Sequence, residues 1–357
     1  MVGTRTLPTL QNIAEVLLNT KLIWLSRLTL ITAILAWLVI GLGAYTRLTD
    51  AGLGCPDWPG CYGHFSVPTT ATNISSADQA YPQTPVVAAK AWAEMIHRYF
   101  AGTLGLLIII TAALATLVAN RFGFQFLILG MLLFALLVYQ AVLGMWTVTL
   151  KLLPIIVTQH LLGGMTIIAL VWLLHLKSRQ ALYVFVKKEK LLYLKPWTLI
   201  GLILVCLQIG LGAWTSTNYA AVSCSHFPFC QSQPWHYDFH TAFSIFASLN
   251  DIARMTIQMT HRLGALIVTI YLLFLTGWIH YKMKSFHLLK KVMTITFSVL
   301  IIQLCLGISN VLFSLPLAIA IAHNLCAAIL LVCMITLNFV VFSKPATVIT
   351  FAKEAII

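Results

Sequence analysis

The chain has 357 residues, of which 60% are hydrophobic and only 9% charged, against roughly 25% charged residues in an ordinary soluble domain. Its formal net charge is +13, but the basic residues cluster between long apolar runs and read as a topology signal; a nucleic-acid footprint would need a basic face on a soluble domain. The composition excludes a soluble globular protein and predicts an all-α polytopic membrane protein.

A helix needs about 20 residues to cross the hydrocarbon core. After a short N-terminal stretch, 1–27, the apolar segments of that length are 28–46, 92–119, 124–146, 155–175, 197–216, 257–279, 292–313 and 317–342. Their even number places both termini on one side, and the Lys and Arg of short flanks decide which. With the N-terminus cytoplasmic, all 22 basic residues lie inside except Arg47, Lys90, Arg98, Lys151, Arg254 and Arg262. The first apolar run is too long for a cleavable signal and lacks a small-residue cleavage site. The short N-terminal stretch, which carries both Arg5 and Glu15, does not read as a transit peptide. The expected home is therefore a bacterial inner membrane, with the tail 343–357 cytoplasmic and the long loops 47–91 and 217–256 periplasmic. Within the second loop, TAFSIFASL at 241–249 is too short to span and suits the membrane interface.

The chain is written twice. IGLGAYT at 40–46 returns as IGLGAWT at 209–215, CPDWPGC at 55–61 as CSHFPFC at 224–230, and EMIHR at 94–98 as QMTHR at 258–262. QAVLG at 140–144 then aligns with QLCLG at 303–307, and His160 in TQHLLGG with His323 in IAHNLCA. The predicted organisation is two four-helix halves, 28–176 and 197–342, joined by a basic cytoplasmic linker, 177–196. Four spans per half give both halves the same orientation, so they are expected to form parallel, pseudo-symmetric bundles related by an axis along the bilayer normal.

His97, His160, His261 and His323 fall inside spans at matching places of the repeat, near the outer ends of the second, fourth, sixth and eighth spans. A single intramembrane histidine is as readily a packing hydrogen bonder as a ligand. Two per half, on helices that run the same way at similar depth, suit bis-histidine ligation of heme iron. Glycines that follow them, Gly102, Gly105, Gly163, Gly164 and Gly264, and Ala327, would let a flat macrocycle approach, though glycine also serves helix packing. Zinc fits less well, because no cysteine or carboxylate cluster accompanies the four. His175, His280 and His287 read as solvated polar residues at the cytoplasmic side, and His64, His226, His236 and His240 as loop residues. Arg98 and Arg262, each next to a candidate ligand, suit either heme propionates or interfacial snorkelling.

Cys55 with Cys61 and Cys224 with Cys230 share one spacing in loops on the oxidising side, which favours local disulfides and leaves pairing between loops open. For the 55/61 pair, a redox role stands beside a structural one. Cys206, Cys305, Cys326 and Cys333 read as small core residues.

Taken together, the eight spans in two halves, EMIHR and QMTHR, the second histidine some 60 residues after each, and the paired loop cysteines resemble the heme A synthase family from Thr29 to about Phe342. That family oxidises the C8 methyl of heme O to a formyl group, through successive hydroxylations and loss of water, and so makes heme A for terminal oxidases. The resemblance implies that His261 and His323 hold a resident heme b, that His97 and His160 hold the substrate heme, and that Glu94 is the essential acid. It also implies heme O as substrate, contact with membrane lipid, an electron donor and a heme O synthase as partners, and leaves oligomerisation open. The repeat suggests the same division, since the counterpart of Glu94 is Gln258 and an electron-relay heme needs no proton acceptor at its edge. The rival readings are a diheme b-type electron-transfer cytochrome and a heme or small-molecule transporter.

Overall fold

In a computed structural model of the protein, residues 10–182, 189–230, 237–245 and 248–343 are described. His236, the middle of the basic linker, residues 1–9 and the tail beyond Ser343 lie outside them. Among the described residues the regular elements are helices: α1 (Leu10–Leu48), α2 (Ala71–Ala80), α3 (Ala88–Phe122), α4 (Gln125–Thr149), α5 (Pro154–Leu182), α6 (Lys195–Thr217), α7 (Phe239–Ala242), α8 (Asp251–Lys282), α9 (His287–Leu312) and α10 (Leu317–Phe342). All except α2 and α7 are long and apolar enough to cross a membrane, eight in number as the sequence predicts. The protein is an all-α, multi-pass membrane protein.

Several helices outrun the apolar segments. α3 starts at Ala88 and α8 at Asp251, each a turn or more before the expected span, because a helix satisfies its own backbone and continues past the hydrocarbon into polar sequence. Asn250 caps α8 with its side chain on the Ala253 N–H at 2.7 Å. Of the stretch 241–249, α7 takes in only Thr241 and Ala242, and the cap of α8 follows at Asn250.

α1, α3, α4 and α5 close into a ring of neighbours, α6, α8, α9 and α10 into a second, and the rings meet through α1, α5, α6 and α10. The apolar cores follow that arrangement, one of them around Leu25, Ile108, Phe126, Leu133 and Val171 and the other around Leu272, Leu275, Met293 and Leu337. Large apolar side chains elsewhere, such as Leu106, Met131, Leu207 and Ile270, face outward, as expected where the solvent is lipid. Cys206 and Cys305 are exposed on this face as well, so only Cys326, buried, and Cys333, half-buried, fit the expected core role. Across the seam, Trp37 Nε1 donates to Leu325 O at 3.1 Å and Trp172 Nε1 to Thr336 Oγ1 at 2.8 Å. Arg47 Nη2 donates to Ser216 O at 2.9 Å, and its guanidinium lies 3.8 Å from the Tyr219 ring.

The sequence repeat is also a backbone repeat. The outer ends of α1, α4, α6 and α9 turn out through left-handed non-glycine residues, Asp50 and Tyr219 at one pair of equivalent places, Lys151–Leu152 and Ser314–Leu315 at the other. In each, an N–H reaches back five residues to a helix carbonyl: Ala51 to Thr46, Leu152 to Thr147, Ala220 to Thr215 and Leu315 to Asn310. These bonds satisfy carbonyls that a helix end otherwise leaves orphaned.

Two helices approach closely where α3 meets α4: a Cβ at Gly130 would lie 3.0 Å from Ala112 O and 3.3 Å from the Ala115 Cβ. The first neighbour is backbone and cannot turn aside. Gly130→Leu is expected to destabilise the protein by about 1–3 kcal/mol through overpacking, read as a lower thermal unfolding midpoint in detergent.

Candidate functional site

The candidate residues gather at the end of the bundle that carries the two long loops. His97 lies near the start of α3, His160 near the start of α5, His261 near the start of α8 and His323 near the start of α10. Each ring is seated on a glycine of the neighbouring helix that rises to the same end. A Cβ at Gly43 would lie 3.1 Å from His97 Cε1, at Gly144 3.6 Å from His160 Cε1, at Gly212 3.0 Å from His261 Cε1 and at Gly307 3.0 Å from His323 Cε1. All four glycines stand five residues before the end of their helix, at 48, 149, 217 and 312, so the four rings share one depth.

These are not the glycines the sequence reading singled out. A Cβ at Gly102 would meet nothing within 4 Å, at Gly105 it would meet Leu137, and at Gly164 Ile40, while Gly163 and Gly264 accommodate the side chains of Gln140 and Gln208. Residues three to eight after a histidine lie along its own helix, whereas the surface opposite its ring belongs to another. The signal was present in the repeat itself, because Gly43 and Gly212 sit in the IGLGA motifs and Gly144 and Gly307 in QAVLG and QLCLG.

His97 lies near His160, and His261 near His323, which pairs them within halves. Nδ1 of His97, His160 and His323 is buried without a hydrogen-bond partner. Among the described residues no three or more His, Cys, Asp or Glu converge. Two imidazoles per half, seated on bare backbone and three of the four holding an unpartnered nitrogen, suit an iron porphyrin held between them; a structural zinc centre takes four ligands.

The halves treat their histidines differently. In the second, Gln208 Nε2 lies 3.0 Å from His261 Nδ1 and 2.9 Å from His261 O, and Gln303 Nε2 lies 3.2 Å from His323 Nε2. In the first, Gln208 has Val39 as its counterpart, and Gln140, the counterpart of Gln303, is buried with its Nε2 unpartnered.

The two arginines clamp the outer loops. Arg98 Nη1 donates to the carbonyls of Asp57, at 3.0 Å, Pro59 and Gly60, and Arg262 Nη1 to those of His226 and Pro228, at 2.7 and 3.0 Å. Asp57 and Pro59 are the repeat counterparts of His226 and Pro228. The structure thus gives both arginines partners in the protein at the place where propionate contacts were expected. Each loop is stapled within itself, Cys55 to Cys61 and Cys224 to Cys230, and not across loops.

Glu94 belongs to the clamp. It is 4% exposed, Oε1 accepts from Arg98 Nη2 at 2.5 Å, and Oε2 accepts from the Cys55 N–H at 2.9 Å. In the other half Gln258 Nε2 donates to Ala221 O at 2.7 Å, and Arg262 Nη2 reaches Cys224 O directly at 2.8 Å. One carboxylate thus ties the start of α3 to the disulfide loop.

Residues 26–335 match the COX15-CtaA family, cytochrome oxidase assembly protein. A relative from Shewanella oneidensis named heme A synthase is 42% identical over 341 residues, covering 92% of this chain and 98% of its own. The chain belongs to the COX15-CtaA family. Relatives of the same name from the Wolbachia of Brugia malayi and from Lysinibacillus sphaericus are 28% and 25% identical, covering 86% and 81% of this chain and 92% and 85% of theirs.

The Glu94–Arg98 pair is largely buried, at 6% and 12% side-chain exposure. Removing one member of a buried pair costs about 3–5 kcal/mol because the other charge is stranded. Arg98→Ala is therefore expected to destabilise the protein more than Arg262→Ala, which strands no carboxylate. Thermal unfolding, with limited proteolysis of the outer loops, checks the order.

Proposed function

We propose that the protein is a heme A synthase, an oxidoreductase that converts heme O to heme A by oxidising the C8 methyl to a formyl group. The observation that carries this is the seating of four histidines, two per half at one depth, each against a glycine of the neighbouring helix, in a chain that matches a named heme A synthase over 92% of its length.

In this reading His261 and His323 hold heme b, and His97 and His160 hold heme O. Bound heme b supplies one-electron transfer. The hydrogen bond of Gln208 to His261 Nδ1, which has no counterpart at Val39, supports this division, because a partner on one ring nitrogen fixes the orientation of a ligand that binds through the other. A resident group needs such fixing; a porphyrin that must enter and leave does not. Glu94, three residues before His97, lies on the same side of α3, in the half without that amide partner. There it takes the proton released as the methyl carbon is oxidised, with Arg98 holding its charge. The disulfide loop above Glu94 closes that end of the site.

The two basic regions, around 177–196 and 282–291, support a bacterial inner membrane with both termini in the cytoplasm and the two stapled loops in the periplasm.

Extraction of hemes from the purified protein tests the function: heme O or heme A beside heme b supports it, while two hemes b per chain would instead make it a diheme cytochrome and none a transporter. His323→Ala is expected to lose the low-spin bis-histidine spectrum of the heme b site; an unchanged spectrum removes His323 as a ligand. Glu94→Gln preserves shape and an acceptor for Cys55 but not the charge. With a heme O supply it is expected to retain heme b and accumulate heme O or a hydroxylated intermediate, and heme A at wild-type yield would remove Glu94 from the chemistry.

A further inference from the structure

One buried glutamine lies differently in the two halves, and the difference traces to a single neighbouring position. Gln140 and Gln303 stand at the same place in the repeat, four residues before the glycines that face His160 and His323. Gln303 uses its amide on His323 Nε2, the lone pair through which an imidazole most often takes iron, at 3.2 Å. Gln140, only 8% exposed, does not reach His160. Its amide lies against Gly163, so closely that any Cβ there would overlap its nitrogen, and that nitrogen has no hydrogen-bond partner.

An orphan N–H at this depth is costly, and the other half shows that an acceptor is within reach of a glutamine rooted at this position. What differs is the room beside it. The counterpart of Gly163 is Cys326, which is buried and lies with its thiol 3.6 Å from Val299 O. In the second half a side chain fills the notch, and the glutamine rests on the histidine.

We propose that the notch at Gly163 parks Gln140 away from His160, leaving that imidazole open to an incoming iron porphyrin, and that Gln140 is thereby a positioning residue that sets the affinity of this site. An amide N–H on the ring nitrogen must be displaced before iron can bind it, so parking removes a competitor at the half where the porphyrin is exchanged. The proposal rests on the assignment of His97 and His160 to the exchangeable porphyrin.

The test uses detergent-solubilised protein carrying its heme b, titrated with ferric iron protoporphyrin and followed by growth of low-spin absorbance. Gly163→Cys installs the residue of the other half and evicts the amide. Affinity is expected to fall about tenfold, the equivalent of one hydrogen bond of about 1.4 kcal/mol. Gly163→Cys combined with Gln140→Leu, which fills the notch but removes the competitor, is expected to return to within about threefold of wild type on the same scale. Gly163→Ala evicts the same amide with less bulk and replaces Gly163→Cys if that variant does not fold. Unchanged affinity in the folded single variant overturns the proposal, and so does a failure of Gln140→Leu to restore it, since the added side chain would then act by bulk. His160→Ala separates the two levels. If it titrates like wild type, the site assignment falls; if it abolishes the signal while Gly163→Cys is silent, only the parking of Gln140 falls.

Discussion

The arrangement of this protein depends on one steric constraint, the seating of an imidazole on bare backbone. A Cβ at Gly43, Gly212 or Gly307 would stand 3.0–3.1 Å from the ring it faces, tighter than side chains tolerate without displacement. Glycine at those places fixes how closely α1 approaches α3, α6 approaches α8 and α9 approaches α10. Because each glycine stands five residues from the end of its helix, the constraint also fixes the depth of the rings and the place where the outer turns must begin. Hydrocarbon offers no competing hydrogen bonds, so orphaned ring nitrogens at that depth mark a candidate binding site.

The loops are subordinate to that end of the bundle. Arg98 and Arg262 each follow a histidine and each hold two or more carbonyls of the adjoining loop, so each disulfide loop is fastened from a helix that carries one of the four histidines. Glu94 makes the first clamp different in kind. Its carboxylate is shared between the arginine and the Cys55 amide, and a change in its charge is therefore felt by both the helix and the loop. Gln258 keeps the shape of that position while removing the charge, so the second loop is fastened by the Gln258 amide and the Arg262 guanidinium on backbone carbonyls, with no carboxylate between them.

Much of this was legible in the sequence because it lives in periodicity and repetition. The eight apolar runs gave the spans, and the recurrence of EMIHR as QMTHR located the histidines. The ends of α3 and α8 were not legible, since polar residues after a span look alike whether they continue a helix or leave it. The glycines opposite the rings were visible as repeated letters, but which helix faces which is a tertiary fact. The same holds for Arg98 and Glu94: their spacing of four permits an ion pair, while the loop carbonyls that share the guanidinium are some 40 residues away. Most hidden was the asymmetry of Gln140 and Gln303, identical letters at equivalent places whose side chains are sorted by a glycine in one neighbour and a cysteine in the other.

Beside the Thr158–Thr217 hydroxyl pair, the seam between the halves carries three polar contacts that run in one direction. Trp37, Trp172 and Arg47 all belong to the first half, and each donates to an acceptor in the second. Their counterparts by repeat are Cys206, Ile335 and Ser216, so neither indole has an indole at the matching place. Two copies of the first half would put Leu173 where Thr336 accepts from Trp172, and two copies of the second would lack both indoles. The seam is therefore asymmetric: whatever likeness the two halves retain in the seating of their histidines, the indoles that bond across it come from one half alone.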